Sequence, residues 1–182
     1  TDIRYPCLRL VRDGSEVPLS DYARELRLGP HISQDWIINE EVFARYNLGA
    51  TIVLQMLQHC VPAFGDSANA LEQLFNANIQ LSCFITPPTA QGFTAHYDTY
   101  SFFAIQLHGS KHWSLYDRTP LLPVRDDRES VNEWVPVPPT CELTLNPGDA
   151  LFVPRGLYHS AKTSVDPSVH MTVGIFSPTL LD

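Results

Sequence analysis

The spacing of hydrophobic and polar positions changes near residue 78 of this 182-residue chain. Before that point, four stretches combine a polar cap with helix formers or space their apolar residues at helical intervals: residues 19–26, 39–46, 51–60 and 67–76. We predict a helix for each stretch, with the third mostly buried and then ended or kinked by Pro62. Residues 1–78 are therefore expected to form a largely helical N-terminal part.

After residue 78 the chain consists of short aromatic and β-branched runs separated by glycine and proline turns. These runs lie at residues 79–85, 101–107, 112–116, 143–145, 150–153 and 170–175. Many short strands joined by such turns favour a β-sandwich or barrel. Residues 118–141 are charged and then proline-rich, so we predict a long surface loop there. We expect a single domain over residues 1–182, with residues 79–182 as the barrel core.

Composition narrows the possible partners. The chain has 12 Lys and Arg against 20 Asp and Glu, a net charge of −8, which argues against direct nucleic-acid binding. A basic peptide suits this charge, although an ordinary acidic surface explains it equally well. The four cysteines form no C-x-x-C pair and are expected to be free thiols. No apolar run reaches the roughly 20 residues that span a bilayer, so no membrane contact and a cytoplasmic location are expected.

The first candidate metal ligands are a histidine and an aspartate placed two positions apart. His96 and Asp98 lie in a segment flanked by strand-like residues, and alternate side chains of a strand point to the same face, so one wall could present both to one metal. His159 follows an apolar strand and a Pro-x-Gly bend. Two imidazoles and one carboxylate on one face of a metal form the facial triad of non-haem Fe(II) oxygenases. A single histidine is more often structural, which is our interpretation of the five others: His31, His59, His108, His112 and, least securely because its late strand could face the same cavity, His170.

Three segments resemble the JmjC-type cupin oxygenases, namely residues 85–98, 106–116 and 148–159. Within that group the chain is most similar to the ribosomal oxygenases, which hydroxylate ribosomal proteins. The resemblance implies a mainly β fold, a double-stranded β-helix of the cupin or jelly-roll type with the N-terminal helices packed on it. It also implies Fe(II), 2-oxoglutarate as cosubstrate and dioxygen. The family's metal ligands fall on His96, Asp98 and His159.

The same resemblance suggests residues for the cosubstrate. The family places a Lys or Arg fifteen residues after the first ligand to hold the far carboxylate of 2-oxoglutarate, and here that residue is Lys111. Strand parity with Trp113 also predicts an inward Lys111, for which an anionic ligand would compensate; the alternative is a side chain that reaches out to solvent. Thr172 occupies a position where relatives carry a small polar residue, although a β-branched strand residue needs no such role. Relatives often have an asparagine where this chain has Ser82.

Three tyrosines flank the ligands and are candidates for substrate contact, although aromatic packing in the core is the commoner role: Tyr97, Tyr100 and Tyr158. We expect an Fe(II)- and 2-oxoglutarate-dependent dioxygenase that hydroxylates a protein side chain, with a basic ribosomal protein as the partner. One alternative keeps this chemistry and takes a free amino acid, small peptide or natural-product intermediate as substrate. Another is a metal-binding cupin module without catalysis. Because the chain begins without a methionine, a fragment of a longer protein that dimerises through other segments is a further expectation.

Overall fold

The computed structural model describes residues 3–117, 123 and 137–177. Its largest element is a seven-stranded antiparallel sheet that contains, in spatial order, Ala150–Val153 (β10), Ser101–His108 (β7), Ser168–Phe176 (β12), Asn78–Thr86 (β6), Thr51–Leu54 (β5), Leu8–Arg12 (β1) and Ser15–Glu16 (β2). A three-stranded antiparallel sheet contains Tyr158–Lys162 (β11), Lys111–Tyr116 (β8) and Cys141–Leu145 (β9). Together these sheets form the double-stranded β-helix, which confirms the expected fold class.

One hydrophobic cluster lies between the two sheets. Phe102 and Val153 of the larger sheet pack in the same buried cluster as Trp113 and Leu145 of the smaller sheet. On β7 the buried residues alternate with less buried ones, because successive side chains of a strand point to opposite faces. This alternation gives the larger sheet an inner face toward the smaller sheet and an outer face toward the helices.

The helices cover the outer face of the larger sheet. They are Asn39–Asn47 (α1), the single turn Leu57–Cys60 (α2) and Pro62–Phe75 (α3). Pro62 occupies the start of α3, where its missing N–H costs no hydrogen bond, and Asn76 ends the helix in the left-handed conformation with φ of +47°. Helix residues and outer-face strand residues share one buried cluster: Leu57, Ala68, Ala77, Ile79, Leu81, Val173 and Ile175.

Two of the four predicted helices are confirmed and two are wrong. The stretches 39–46 and 67–76 lie in α1 and α3, and Pro62 begins a helix instead of ending one. Residues 19–26 form only a 3₁₀ turn, Leu19–Asp21, before the strand Ala23–Leu28 (β3), which pairs with His31–Ile37 (β4). The stretch 51–60 divides into β5 and α2, because its β-branched start pairs with β1 on one side and β6 on the other. Between residues 3 and 78 the structure is thus a mixture of strands and helices, not largely helical.

The strands predicted after residue 78 are confirmed, as each predicted run lies within or overlaps one of the strands β6 to β10 and β12. Most of the predicted loop at 118–141 lies outside the described residues, and its last residue, Cys141, begins β9. The four cysteines are free thiols, as expected. In the described part of the chain, no helix has the length and apolar character needed to cross a bilayer.

Candidate metal centre

Paired backbone hydrogen bonds bring the two candidate histidine ligands together. The N–H of His96 donates to the carbonyl of His159 at 3.0 Å, and the N–H of His159 donates back to the carbonyl of His96 at 2.8 Å. The N–H of Gly156 donates to the carbonyl of Asp98 at 2.9 Å. His96 forms only this isolated bridge and Asp98 lies in irregular backbone, so the prediction that they share a strand is wrong. Backbone hydrogen bonds to the segment 156–159, and not strand alternation, set the positions of His96 and Asp98.

The ligand atoms of His96, Asp98 and His159 all lie within 4.8 Å of one another. Oδ2 of Asp98 is 3.7 Å from Nε2 of His159, and the two imidazole centroids are 4.5 Å apart. This donor set suits a borderline divalent metal such as Fe(II), because it combines two imidazole nitrogens with one carboxylate oxygen. The three protein ligands would leave further coordination positions for small molecules.

Each imidazole is oriented by a backbone carbonyl. Nδ1 of His96 donates to the carbonyl of Thr94 at 2.7 Å, and Nδ1 of His159 donates to the carbonyl of Leu157 at 2.9 Å. A carbonyl oxygen only accepts, so the proton of each neutral ring lies on Nδ1 and the lone pair lies on Nε2. Both Nε2 atoms are therefore ready to bind a metal without a change of tautomer.

The environment also keeps His159 neutral. Its side chain is buried, and this burial together with the neighbouring His96 lowers the pKa of His159 to about 4, although the Asp98 carboxylate acts in the opposite direction. Aromatic rings enclose it, since Phe102 lies edge-on at 5.2 Å between centroids and Trp113 stacks at 6.0 Å. A neutral imidazole at physiological pH can bind a metal without first losing a proton.

The three residues line a cavity of about 700 Å³ that lies between the sheets. Lys111 lines the same cavity with only 4% of its surface exposed. Its ammonium donates to Oγ1 of Thr86 at 2.9 Å and lies 3.4 Å from Nδ1 of His170. Neither neighbour is an anion, and burial lowers the pKa of Lys111 to about 7. Lys111 is thus buried in the cavity that holds the candidate metal ligands. None of the described residues gives it a carboxylate partner.

Of the other predicted site residues, Thr172, Tyr97 and Tyr100 line the cavity and Tyr158 does not. Ser82, which stands where relatives often have an asparagine, also lines it. Thr172 and Ser82 are buried neighbours on β12 and β6 and both line the cavity. Tyr97 and Tyr158 are also buried, and their rings meet edge-on at 5.0 Å. Tyr100 lines the cavity and stacks on Phe176 at 4.2 Å. Their predicted roles remain predictions, with Tyr158 placed in packing and absent from the cavity wall.

No role was predicted for two residues beside Lys111, and one of them, His170, lines the cavity. Thr86 is fully buried beside Lys111, but 25 residues separate the two, so no local pattern links them. His170 was interpreted as structural, although it shares strand parity with Thr172, which was a usable signal. Burial and the nearby Lys111 lower the pKa of His170 well below its ordinary value, and its ring stacks on Phe84 at 4.8 Å. It is a neutral acceptor beside the lysine.

The fold and the donor set define a cupin-type protein with a candidate metal centre. The model of the JmjC domain matches residues 59–182, so the chain belongs to the JmjC domain family.

Comparison with individual proteins agrees with this assignment. The chain is 34% identical over 140 residues to the bifunctional lysine-specific demethylase and histidyl-hydroxylase NO66 of Culex quinquefasciatus, a match over 75% of this chain and 22% of that protein. It is 39% identical over 108 residues to ribosomal oxygenase 2 of Bos taurus, over 58% of this chain and 23% of that protein. The chain therefore spans less than a quarter of the length of these two relatives.

Among solved structures, the ribosomal oxygenase YcfD of Escherichia coli aligns with a TM-score of 0.57 and 20% sequence identity. The alignment covers 100% of this chain and 42% of the YcfD chain. At this level of identity the likeness supports the fold, which agrees with the two-sheet architecture described above.

Proposed function

We propose that this protein is an Fe(II)- and 2-oxoglutarate-dependent oxygenase that hydroxylates a side chain of a protein substrate. The observation that carries the proposal is the shared cavity, in which the two-histidine, one-aspartate set and the buried Lys111 both lie. Support also comes from relatives named as a histidyl-hydroxylase and as ribosomal oxygenases, and from a YcfD structure described as a complex with cobalt and 2-oxoglutarate.

The donor chemistry fits the proposed groups. When bound, Fe(II) and 2-oxoglutarate supply an oxidation in which one atom of dioxygen enters a C–H bond and the cosubstrate becomes succinate and carbon dioxide. His96, Asp98 and His159 would hold the metal through Nε2 and carboxylate atoms that already face one another. Lys111 would hold the far carboxylate of the cosubstrate, which gives its buried ammonium the anionic partner that the described residues do not provide.

The protein contributes position and exclusion of water. Thr86 and His170 hold the lysine ammonium in place, and carbonyls hold the two imidazoles. Phe102 and Trp113 form an apolar wall beside His159, which reduces the access of water to the reacting groups. The chain's role is therefore to orient the bound groups and keep their surroundings dry.

We further propose a basic ribosomal protein as the substrate. The net charge of −8 favours a basic partner through complementary electrostatics. Relatives named ribosomal oxygenases support this choice.

Anaerobic titration with Fe(II) and then 2-oxoglutarate tests the proposed centre. Calorimetry should show binding of both, and their complex should give a weak visible absorption band. His159→Ala should lose metal binding, whereas His112→Ala, which changes a less buried histidine on β8, should keep it. If wild-type protein binds neither metal nor 2-oxoglutarate, the proposed function is wrong.

Turnover with ribosomal protein fractions then tests catalysis and substrate. The expected product is a mass gain of one oxygen on a ribosomal protein, with matching succinate, lost in Asp98→Ala. Succinate formation that depends only on free amino acids or small peptides would instead support the small-molecule alternative. Binding of both ligands without any product would favour a module that does not catalyse.

A further inference from the structure

The cavity contains few charged groups, and their signs limit what can enter it. Among the described residues that line it, those with formal charges, histidines aside, are Arg9, Asp98 and Lys111. Asp98 belongs to the candidate ligand set, so under the proposed function its carboxylate binds the metal and is not available to pair with a substrate cation. An arginyl or lysyl side chain entering this cavity would therefore find no free carboxylate on the described wall. Burying a charge without a partner is costly, which disfavours a cationic side chain.

Arg9 also fixes the orientation of the side-chain amide of Gln55. Arg9 lies on β1, and Gln55 follows β5, the strand that pairs with β1. Nε of Arg9 donates to Oε1 of Gln55 at 3.1 Å, while Nη1 of Arg9 forms an ion pair with Glu16 of β2 at 3.4 Å. A guanidinium carries donors and no acceptor, so the amide atom that faces it must be the oxygen. Arg9 is thus held from both sides and fixes the orientation of the Gln55 amide.

This orientation leaves the amide nitrogen of Gln55 as the donor on that part of the cavity wall. Gln55 lines the cavity, and within the described ranges its Nε2 has no hydrogen-bond acceptor. A site that presents a donor accepts a side chain with a hydrogen-bond acceptor and rejects one that carries only donors. Arginine and lysine carry only donors, whereas imidazole, carboxamide and carboxylate groups carry acceptors.

We infer that the side chain modified in this cavity carries a hydrogen-bond acceptor and no positive charge, and that Arg9 is the positioning residue that enforces this choice through Gln55. The inference rests on the proposed function, whose substrate class it narrows. A basic protein remains suitable as the substrate, since its positive charges would contact the acidic surface outside the cavity while the inserted side chain is uncharged or acidic.

Paramagnetic line broadening tests this selectivity with small probes. Wild-type protein is loaded with Mn(II) and 2-oxoglutarate at pH 8 and titrated with the N-acetyl amides of histidine, glutamine, arginine and lysine. Proton signals of the histidine and glutamine probes should broaden at concentrations about tenfold lower than those of the arginine and lysine probes. Equal broadening of all four, or stronger broadening of the cationic pair, would overturn the inference.

Variants connect the selectivity to the two residues. Gln55→Glu replaces the donor by a carboxylate and should shift the preference toward the arginine probe. Arg9→Met should reduce the preference for the glutamine probe, Arg9→Lys should restore most of it because lysine also only donates, and Arg12→Met on the exposed side of β1 should leave it unchanged. If Arg9→Met shows the same selectivity as Arg12→Met, Arg9 plays no positioning role.

The bound cosubstrate separates the two possible failures. Mn(II) should broaden the proton signals of 2-oxoglutarate itself in wild type and in every variant of Arg9, Arg12 and Gln55. If 2-oxoglutarate is not broadened in wild type, the proposed function fails. If it is broadened while the four probes bind alike, the proposed function stands and the inferred selectivity fails.

Discussion

Replacing Lys111 by methionine should make the ligand-free protein more stable, and the gain should depend on pH. Methionine fills a similar volume without a charge, and Thr86 keeps a partner because the hydroxyl of Thr51 donates to it at 3.2 Å. The wild-type protein keeps an amine in a site that lacks an anionic partner among the described residues, and burial lowers its pKa from 10.5 to about 7. The variant removes this unfavourable burial at the expense of the contact with His170.

The size and sign of the effect follow from that pKa. The folded state binds the proton more weakly than the unfolded chain, so the unfolded chain holds more protons between pH 7 and 10.5. Wild-type stability from this group therefore rises with pH across that window and is lost as pH falls toward 7. Each pKa unit corresponds to 1.36 kcal/mol, and the advantage of Lys111→Met should shrink by roughly 3 kcal/mol between pH 6.5 and 9.5.

Urea unfolding followed by circular dichroism measures this difference. Wild type, Lys111→Met and the control Lys162→Met, which changes an exposed lysine on β11, are compared at pH 6.5, 8 and 9.5. Groups that do not interact with Lys111 cancel when the variant is compared with wild type at each pH, whereas the Cys83 thiol, whose pKa burial raises and Lys111 lowers, contributes to the difference. A stability difference that stays constant across the three pH values would refute the assigned burial of an amine that has no anionic partner among the described residues. With Mn(II) present throughout, adding 2-oxoglutarate should stabilise wild type much more than Lys111→Met, because only wild type offers the lysine to the far carboxylate.

Three further substitutions test the packing and the cavity. Gly109→Ala should lower the free energy of unfolding in urea by more than about 3 kcal/mol, because Gly109 has φ of +61° and an added Cβ would collide with the carbonyl oxygen of Pro167. A loss below about 1 kcal/mol would contradict this turn. Trp113→Ala should cost about 3–5 kcal/mol in the same assay, since the ring is buried between the sheets, and a near-neutral effect would place it outside the core. Thr86→Val removes a hydrogen-bond partner of Lys111 and should weaken 2-oxoglutarate binding about fivefold in calorimetry, with Mn(II) affinity unchanged. An equal loss of 2-oxoglutarate and Mn(II) affinity would indicate a general disturbance of the cavity.

The sequence predicted the barrel strands well because their patterns are local. Alternating burial and β-branched composition mark strands such as β6 and β7 wherever they pair. The prediction was wrong for residues 19–26, where β3 pairs with the adjacent strand β4, and for residues 51–60, where β5 pairs with the distant strands β1 and β6. In both stretches strand pairing outweighed good helix formers or apolar spacing. Helix propensity amounts to tenths of a kcal/mol per residue, which tertiary hydrogen bonding readily exceeds.

In the candidate site too, the sequence identified what residue type and local pattern determine, and not what long-range contacts determine. His96, Asp98, His159 and Lys111 were identifiable from residue type, spacing and resemblance, because donor chemistry is a property of the side chain itself. The sequence also placed Lys111 on the inner side of its strand, since parity with Trp113 is a local rule.

Only the tertiary structure decided how these groups act together. The bridge between His96 and His159 joins segments 63 positions apart, and the carbonyls that set both tautomers are backbone atoms with no signature in residue type. Thr86 and His170 of the larger sheet meet Lys111 of the smaller sheet, and Arg9 on β1 meets Gln55 beside the paired strand β5. Each contact joins residues that are distant in the chain. Residue types determine which atoms can donate, accept or bind a metal, whereas pairing register and burial determine which of those atoms meet and whether their charges have partners.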